Sequence, residues 1–190
     1  MKETVLNSLA EAAKVSQSFL NDPATADSIY KAGCLIAETI KAGGKVITCG
    51  NGGSLCDATH FAEELTGRFR CNRRPLPAVA LNDPAHITCV ANDYSFAEIY
   101  SKHVQAIGGP ADLLIGFSTS GNSENIVRAA EAAKALGMKV VGMTRKGQNK
   151  LAALSDVVIA VDHSGYSDRI QEMHILAVHI MIEVAESLVL

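Results

Sequence analysis

The sequence predicts an α/β fold: one domain, residues 1–190, built on a five-stranded parallel sheet with helices on both faces. Three observations predict it. Short apolar runs alternate with helical stretches along most of the chain, the pattern of right-handed βαβ units. The core must be built from Ala, Val, Ile, Leu and Met, because Trp is absent and aromatics make up only 5% of the chain. That palette suits strands buried on both faces. Finally, two strand-like runs end in small-residue turns that open onto helices, GNGGS at 50–54 and STSGNS at 118–123. In a doubly wound sheet such turns meet at the edge where ligands bind.

Residues 3–20 place Leu6, Leu9, Ala13 and Phe19 at roughly helical spacing. Asn21-Asp22-Pro23 breaks the pattern, and Pro23 can open the next helix as its first residue. That helix runs to about Ala42, offers Ile29, Leu35, Ile36 and Ile40 to one side, and closes at Gly43-Gly44. With little core for the first helix to bury against, residues 1–42 are expected to form a helical arm used in oligomerisation. The strands follow at 45–49, 77–81, 112–117, 139–143 and 157–161. Between them fall helices at 54–64, 85–90, 97–107, 124–136 and 149–154, and a last helix covers 168–188.

Composition narrows the function. With 48% hydrophobic and 19% charged residues the chain is neither disordered nor collagen-like. A net charge of −3 without a long run of one sign gives no nucleic-acid surface. Five cysteines without a C-x-x-C pair read as reduced structural thiols of a cytoplasmic protein. The N-terminus has acidic residues where a signal peptide needs an apolar core. The longest apolar stretch is broken by His179 and Glu183, so no membrane span is expected.

The 118–123 turn is the better anion cradle. Ser118, Thr119, Ser120 and Ser123 supply four hydroxyls, Gly121 lets backbone approach closely, and a helix N-terminus follows. A well-capped connection is the bland alternative, but one cap does not need four hydroxyls. No P-loop lysine and no G-x-G-x-x-G follow, so no nucleotide cofactor is expected. The 50–54 turn, with Asn51, Gly52 and Gly53, can hold the other end of a ligand, and Ser54 with Asp57 also fits a capping box. Four residues apart on the helix after it stand His60 and Glu64. Glu63 is as near to His60 by spacing, so spacing alone does not choose between the two carboxylates.

The last helix is apolar around most of its circumference, so Gln171, His174 and His179 demand partners. His179 falls about 80° around the helix from Gln171, and His174 about 60° the other way. Gln171 and His179 can therefore share a site that His174 does not easily enter. Asp168 with Gln171 again fits a capping box. Arg68, Arg70, Arg73 and Arg74 form a basic cluster. Arg73 and Arg74 read as a solvated loop, and Arg68, nearest the proposed site, as a possible phosphate or partner contact.

CGNGGS-x-x-DA-x-HFAEELTGR, the Asn92-Asp93 pair, FSTSGNS and DRIQE-x-H-x-x-x-x-H together resemble the phosphoheptose isomerases, a branch of the sugar isomerase (SIS) domain family. The resemblance covers essentially the whole chain. It implies a SIS-type doubly wound domain that interconverts sedoheptulose 7-phosphate and D-glycero-D-manno-heptose 7-phosphate for bacterial surface heptose, through an enediol. It implies a homotetramer with sites between subunits. It assigns substrate contacts to Asn51, Gly52, Gly53, Glu64, Asn92, Asp93, Ser118, Thr119, Ser120, Ser123 and Gln171. One zinc ion per subunit is implied on His60, Glu64, Gln171 and His179, either as a Lewis acid on the sugar oxygens or as an occupant the reaction does not need. Glu64 and His179 are then the acid–base pair, Glu64 the base, with Asp168 orienting groups of the last helix. The chain departs from the family at Leu55, where close members carry histidine, and at 146–149, which lack a double glycine. A non-catalytic binding module, tied to a replication initiator or sensing sugar phosphates, is the alternative. The presence of both Glu64 and His179 favours the enzyme.

Overall fold

In the computed structural model, which describes residues 1–190, the apolar runs become five parallel strands. They are β1 (Val46–Gly50), β2 (Ala78–Ala80), β3 (Leu113–Phe117), β4 (Lys139–Arg145) and β5 (Val157–Val161). Their order across the sheet is β2-β1-β3-β4-β5, and every pairing is parallel. The chain starts in β1, steps out to β2, then crosses back to β3 and continues the other way. The strand order therefore reverses between β1 and β3, which makes that crevice the ligand edge of the sheet. β1 and β3 are buried along their whole length, and Gly50 pairs with Phe117 at their carboxyl ends.

Eight helices cover the sheet. Helices α1 (Lys2–Asn21), α2 (Pro23–Lys41), α3 (Gly53–Thr66) and α8 (Ser167–Val189) take one face, joined by a core that includes Phe19, Ile36, Phe61, Leu65, Val178 and Met181. The other face carries α4 (Pro84–Asp93), α5 (Ile99–Ile107), α6 (Glu124–Ala135) and α7 (Lys150–Leu154), around Tyr100, Val104, Ile126 and Leu151. A 3-10 turn at Phe96–Glu98 leads into α5, so the helix expected from residue 97 starts two residues later. Pro23 does open α2, with Asp22 accepting from Ala24 N at 3.0 Å as its cap. No helix is long and apolar enough to cross a membrane. All five cysteines are free thiols, and Cys49 lies buried in the sheet, its pKa pushed up to about 12 by burial.

Helix α1 is held by its second half and by one clasp. Val15 and Phe19 are buried, whereas Val5, Leu6 and Leu9 are exposed. Arg169, at the start of α8 and largely buried, reaches Glu11 at 3.3 Å, Ser8 and Glu172.

Candidate active site

The turns that leave β1 and β3 emerge side by side and are tied by a reciprocal pair. Asn51 Nδ2 donates to Asn125 Oδ1 at 2.9 Å, and Asn125 Nδ2 returns a bond to Asn51 Oδ1 at 2.8 Å. Asn125 is buried and went unread in the sequence. Its only signal there is an amide next to Ile126 and Val127, where the helix turns inward. Beneath the first turn, the buried Tyr100 hydroxyl donates to the Gly50 carbonyl. Desolvation raises the pKa of that phenol, which keeps it a donor.

In the second turn the hydroxyls bond to one another. Ser118 Oγ donates to Ser123 Oγ at 3.1 Å and lies 3.4 Å from Ser120 Oγ. Ser123 occupies the N-cap position of α6 without a side-chain bond to the helix. The capping alternative is therefore not what the structure uses, and the Ser118, Ser120 and Ser123 hydroxyls gather at a helix N-terminus. Thr119 lends its carbonyl to Arg145 Nε at 3.2 Å. Gly121 has φ +67°, and a Cβ there would meet Asn149 Oδ1 at 2.1 Å and Thr144 Oγ1 at 2.6 Å. Only glycine fits both the conformation and the space.

Further along α3 and α8 three groups come together. His60 Nε2 lies 3.2 Å from Glu64 Oε1 and 3.1 Å from His179 Nε2. One ligand atom from each of the three falls within 4.8 Å of the others. Glu63 is exposed and lines the cleft over His60, whereas Glu64 makes the contact with the imidazole where spacing left the choice open. Phe69 stacks on the His179 ring with centroids 5.9 Å apart. A tetrahedral zinc ion with bonds of 2.0–2.1 Å holds its ligand atoms about 3.3 Å apart. Two imidazole nitrogens and a carboxylate fit that ion in donor type, and the two separations from His60 Nε2, 3.1 and 3.2 Å, are close to that spacing.

Gln171 sits on the same helix, but its amide turns to Ser54, with Nε2 3.4 Å from Ser54 Oγ. It also lies flush against Gly53, where a Cβ would come within 2.7 Å of Gln171 Oε1. Ser54 is therefore inside α3, which starts at Gly53 behind Gly52, and the capping box expected from Ser54 and Asp57 does not form. Asp57 instead has one buried oxygen without a partner, and burial raises its carboxyl pKa to about 6 against the lowering effect of His60. The second capping box is also absent. Helix α8 begins at Ser167 with no side-chain cap, and Asp168 is mostly exposed beside Arg169.

His174 points elsewhere. It is fully buried, with Nε2 3.4 Å from the Thr144 carbonyl and its ring edge-on to Phe117. Desolvation lowers its pKa to about 4, so it is a neutral ring under the serine turn. Asn92 and Asp93 lie at the end of α4, exposed, where Asp93 accepts from the Asn92 amide and from the Cys89 thiol. No hydrogen bond joins either to the trio or to the serine turn. Over His60 opens a cleft of about 540 Å³, lined also by Gly52, Leu55, Cys56, Thr59, Glu63 and Asn82.

The arginine cluster divides. Arg74 and Arg68 are exposed, and Arg68 bonds only Asn72, at 3.2 Å. Arg70 pairs with Glu183 at the surface, at 2.6 Å. Arg73 contradicts the solvated-loop expectation: its side chain is 3% exposed and pairs with Glu186 at 2.7 Å. The sequence places it in a polar loop. What buries it is α8, more than a hundred residues further on.

The sequence matches the family described as SIS domain over residues 9–145. It is 53% identical to the phosphoheptose isomerase of Serratia proteamaculans, over 97% of this chain and 95% of that protein. Among solved structures, a phosphoheptose isomerase from Neisseria gonorrhoeae superposes with a TM-score of 0.91 at 38% identity, covering 98% of each chain. One from Francisella tularensis gives the same TM-score at 35% identity, over 98% of this chain and 99% of the other.

Proposed function

Because the chain belongs to the SIS domain family, and is a sugar-phosphate isomerase within it, we propose that it interconverts sedoheptulose 7-phosphate and D-glycero-D-manno-heptose 7-phosphate. One observation carries this reading: the chain holds both a serine turn fit for a phosphate and an imidazole–carboxylate trio. The phosphate is bound by Ser118, Thr119, Ser120 and Ser123, and the sugar lies over Asn51, Gly52, Gly53 and Gln171. Glu64 takes the proton from C1 of the ketose while His179 protonates the carbonyl oxygen at C2, giving the enediol. Removal of the O1 proton and return of a proton to C2 complete the aldose. Each step leaves one proton on Glu64 or His179 for the next, so nothing is consumed.

His60, Glu64 and His179, with Gln171 as the fourth residue, would hold a zinc ion, and Glu64 and His179 move protons only where they are not bound to it. When bound, that ion supplies Lewis acidity to the sugar oxygens. His60 orients Glu64 through their 3.2 Å contact, and Phe69 packed on His179 keeps water from that face of the ring. Asn92 and Asp93 then serve a neighbouring subunit's site, in a homotetramer assembled through α1. The exposed Val5, Leu6 and Leu9 on that helix support this assembly. The product enters bacterial surface-heptose synthesis.

The test is turnover. Purified protein is expected to convert sedoheptulose 7-phosphate to the aldose, followed by proton exchange from solvent into the product. Metal analysis of protein prepared without chelator is expected to find about one zinc per subunit. Absence of turnover on any ketose phosphate would favour a non-catalytic binding role.

A further inference from the structure

Helices α3 and α8 meet through Ala58, Phe61, Leu65, Val178 and Met181, all apolar. Such packing is non-directional and does not by itself fix a register in which His60 Nε2 lies 3.1 Å from His179 and 3.2 Å from Glu64. The directional ties between the two helices are few. Gln171 to Ser54 is long, at 3.4 Å. Arg70 to Glu183 is more than half exposed on both sides, and exposed pairs contribute little.

Arg73 is different. Its guanidinium carries five donors in a rigid fork, and it divides them between both helices. Nη2 donates to the Glu64 carbonyl at 2.7 Å, and Nη1 to those of Leu65 and Gly67 at 2.9 and 2.8 Å. These carbonyls belong to the C-terminal end of α3, which lacks intrahelical donors and carries the negative end of the helix dipole. Nε donates to Glu186 Oε1 at 2.7 Å. Glu186 stands two turns beyond His179 on α8, within about 20° of the same face. One buried cation thus joins the backbone of Glu64 to the face of α8 that presents His179.

We propose that Arg73, with Glu186 as its counter-ion, is a positioning residue that sets the distance between the His60–Glu64 pair and His179. The proposal rests on the reading of the trio as the reacting centre. Lysine cannot substitute, because a point ammonium cannot reach three carbonyls and a carboxylate in one plane.

The test compares Arg73→Gln, Arg73→Lys and Glu186→Gln with the exposed control Arg74→Gln. Steady-state kinetics on sedoheptulose 7-phosphate are expected to show kcat falling by about tenfold to a hundredfold in both Arg73 variants, the scale of a misplacement near 1 Å. KM should stay within about twofold, since the phosphate turn is not touched. A second readout does not depend on activity. In protein labelled at histidine carbons, the His60 and His179 ring signals should shift while His174, on the same helix, stays in place. Wild-type kcat per folded molecule, or unmoved His60 and His179 signals, would overturn the proposal. If Arg73→Gln does not fold, Glu186→Gln, which keeps an acceptor oxygen, carries both readouts. If the wild type turns over no ketose phosphate, the isomerase reading falls, and the ring signals still decide the role of Arg73.

Discussion

The serine turn and the trio are made in opposite ways. The serine turn is one contiguous segment, and its hydroxyls meet because a single loop curls around Gly121. The trio is composite: His60 and Glu64 come from α3 and His179 from α8, and their contact exists only after the helices dock. A contiguous cradle draws its hydroxyls from one loop, braced by Arg145, Thr144 and Asn149, and can tolerate the loss of one hydroxyl. A composite centre depends on side chains far away in sequence, and small displacements cost it most. Binding and chemistry are thereby carried by parts of different robustness.

The sharpest way to break this division is Glu64→Gln, which keeps shape and removes the base. We expect kcat to fall by about 10²–10⁴-fold with KM nearly unchanged. His179→Gln should fall on the same scale, and steady-state kinetics on the ketose phosphate check both. A serine-turn variant that lost as much kcat would show that the two sides do not separate binding from chemistry.

The same contrast governs what could be read in advance. Strand and helix positions follow from periodicity and turn chemistry, which are local, and the five strands fall within a residue or two of their expected places. The serine turn is equally local. Spacing groups His60 with a carboxylate and Gln171 with His179, but it does not choose Glu64 over Glu63, and only the family resemblance joins the two helices in one site. What failed was long-range. Ser54 was expected to cap α3, yet its hydroxyl lies against Gln171 from α8. Arg73 looked solvated because the helix that covers it lies far along the chain. Asn125 could not be matched to Asn51 before the β1–β3 pairing brought their turns together.

A second prediction separates the two sides through His174, which shares a helix with His179 but supports the serine turn through Thr144. Burial lowers its pKa from 6.5 to about 4, so the folded state holds it neutral while the unfolded chain takes up a proton below 6.5. The unfolded state binds more protons, and stability falls as the pH drops from about 6.5 towards 4. The loss amounts to about 2 kcal/mol at pH 5 and about 3 kcal/mol near pH 4. Asp57 acts with the opposite sign, because its raised pKa favours the folded state at low pH. Urea titrations of wild type and His174→Gln at pH 7 and pH 5 cancel that contribution. The wild type is expected to lose about 2 kcal/mol more than the variant between the two. Equal losses would mean that His174 is not the group held neutral.

The smallest expected effect falls on the contiguous side. Ser120 is exposed, and its Oγ accepts from Asn122 N at 3.2 Å. Its own hydrogen has only the long 3.4 Å approach to Ser118, so it is free to donate to a phosphate oxygen. Ser120→Ala removes that one donor from a turn that keeps three other hydroxyls. A hydrogen bond to a charged group contributes about 1.5 kcal/mol at the low end, so KM should rise about tenfold with kcat unchanged. Ser118 is less easily spared, because its hydroxyl also holds Ser123 in place. Ser118→Ala should therefore raise KM more than Ser120→Ala. If the two rose equally, the bonds among the hydroxyls would contribute nothing to the shape of the cradle, and the turn would act as a set of independent donors.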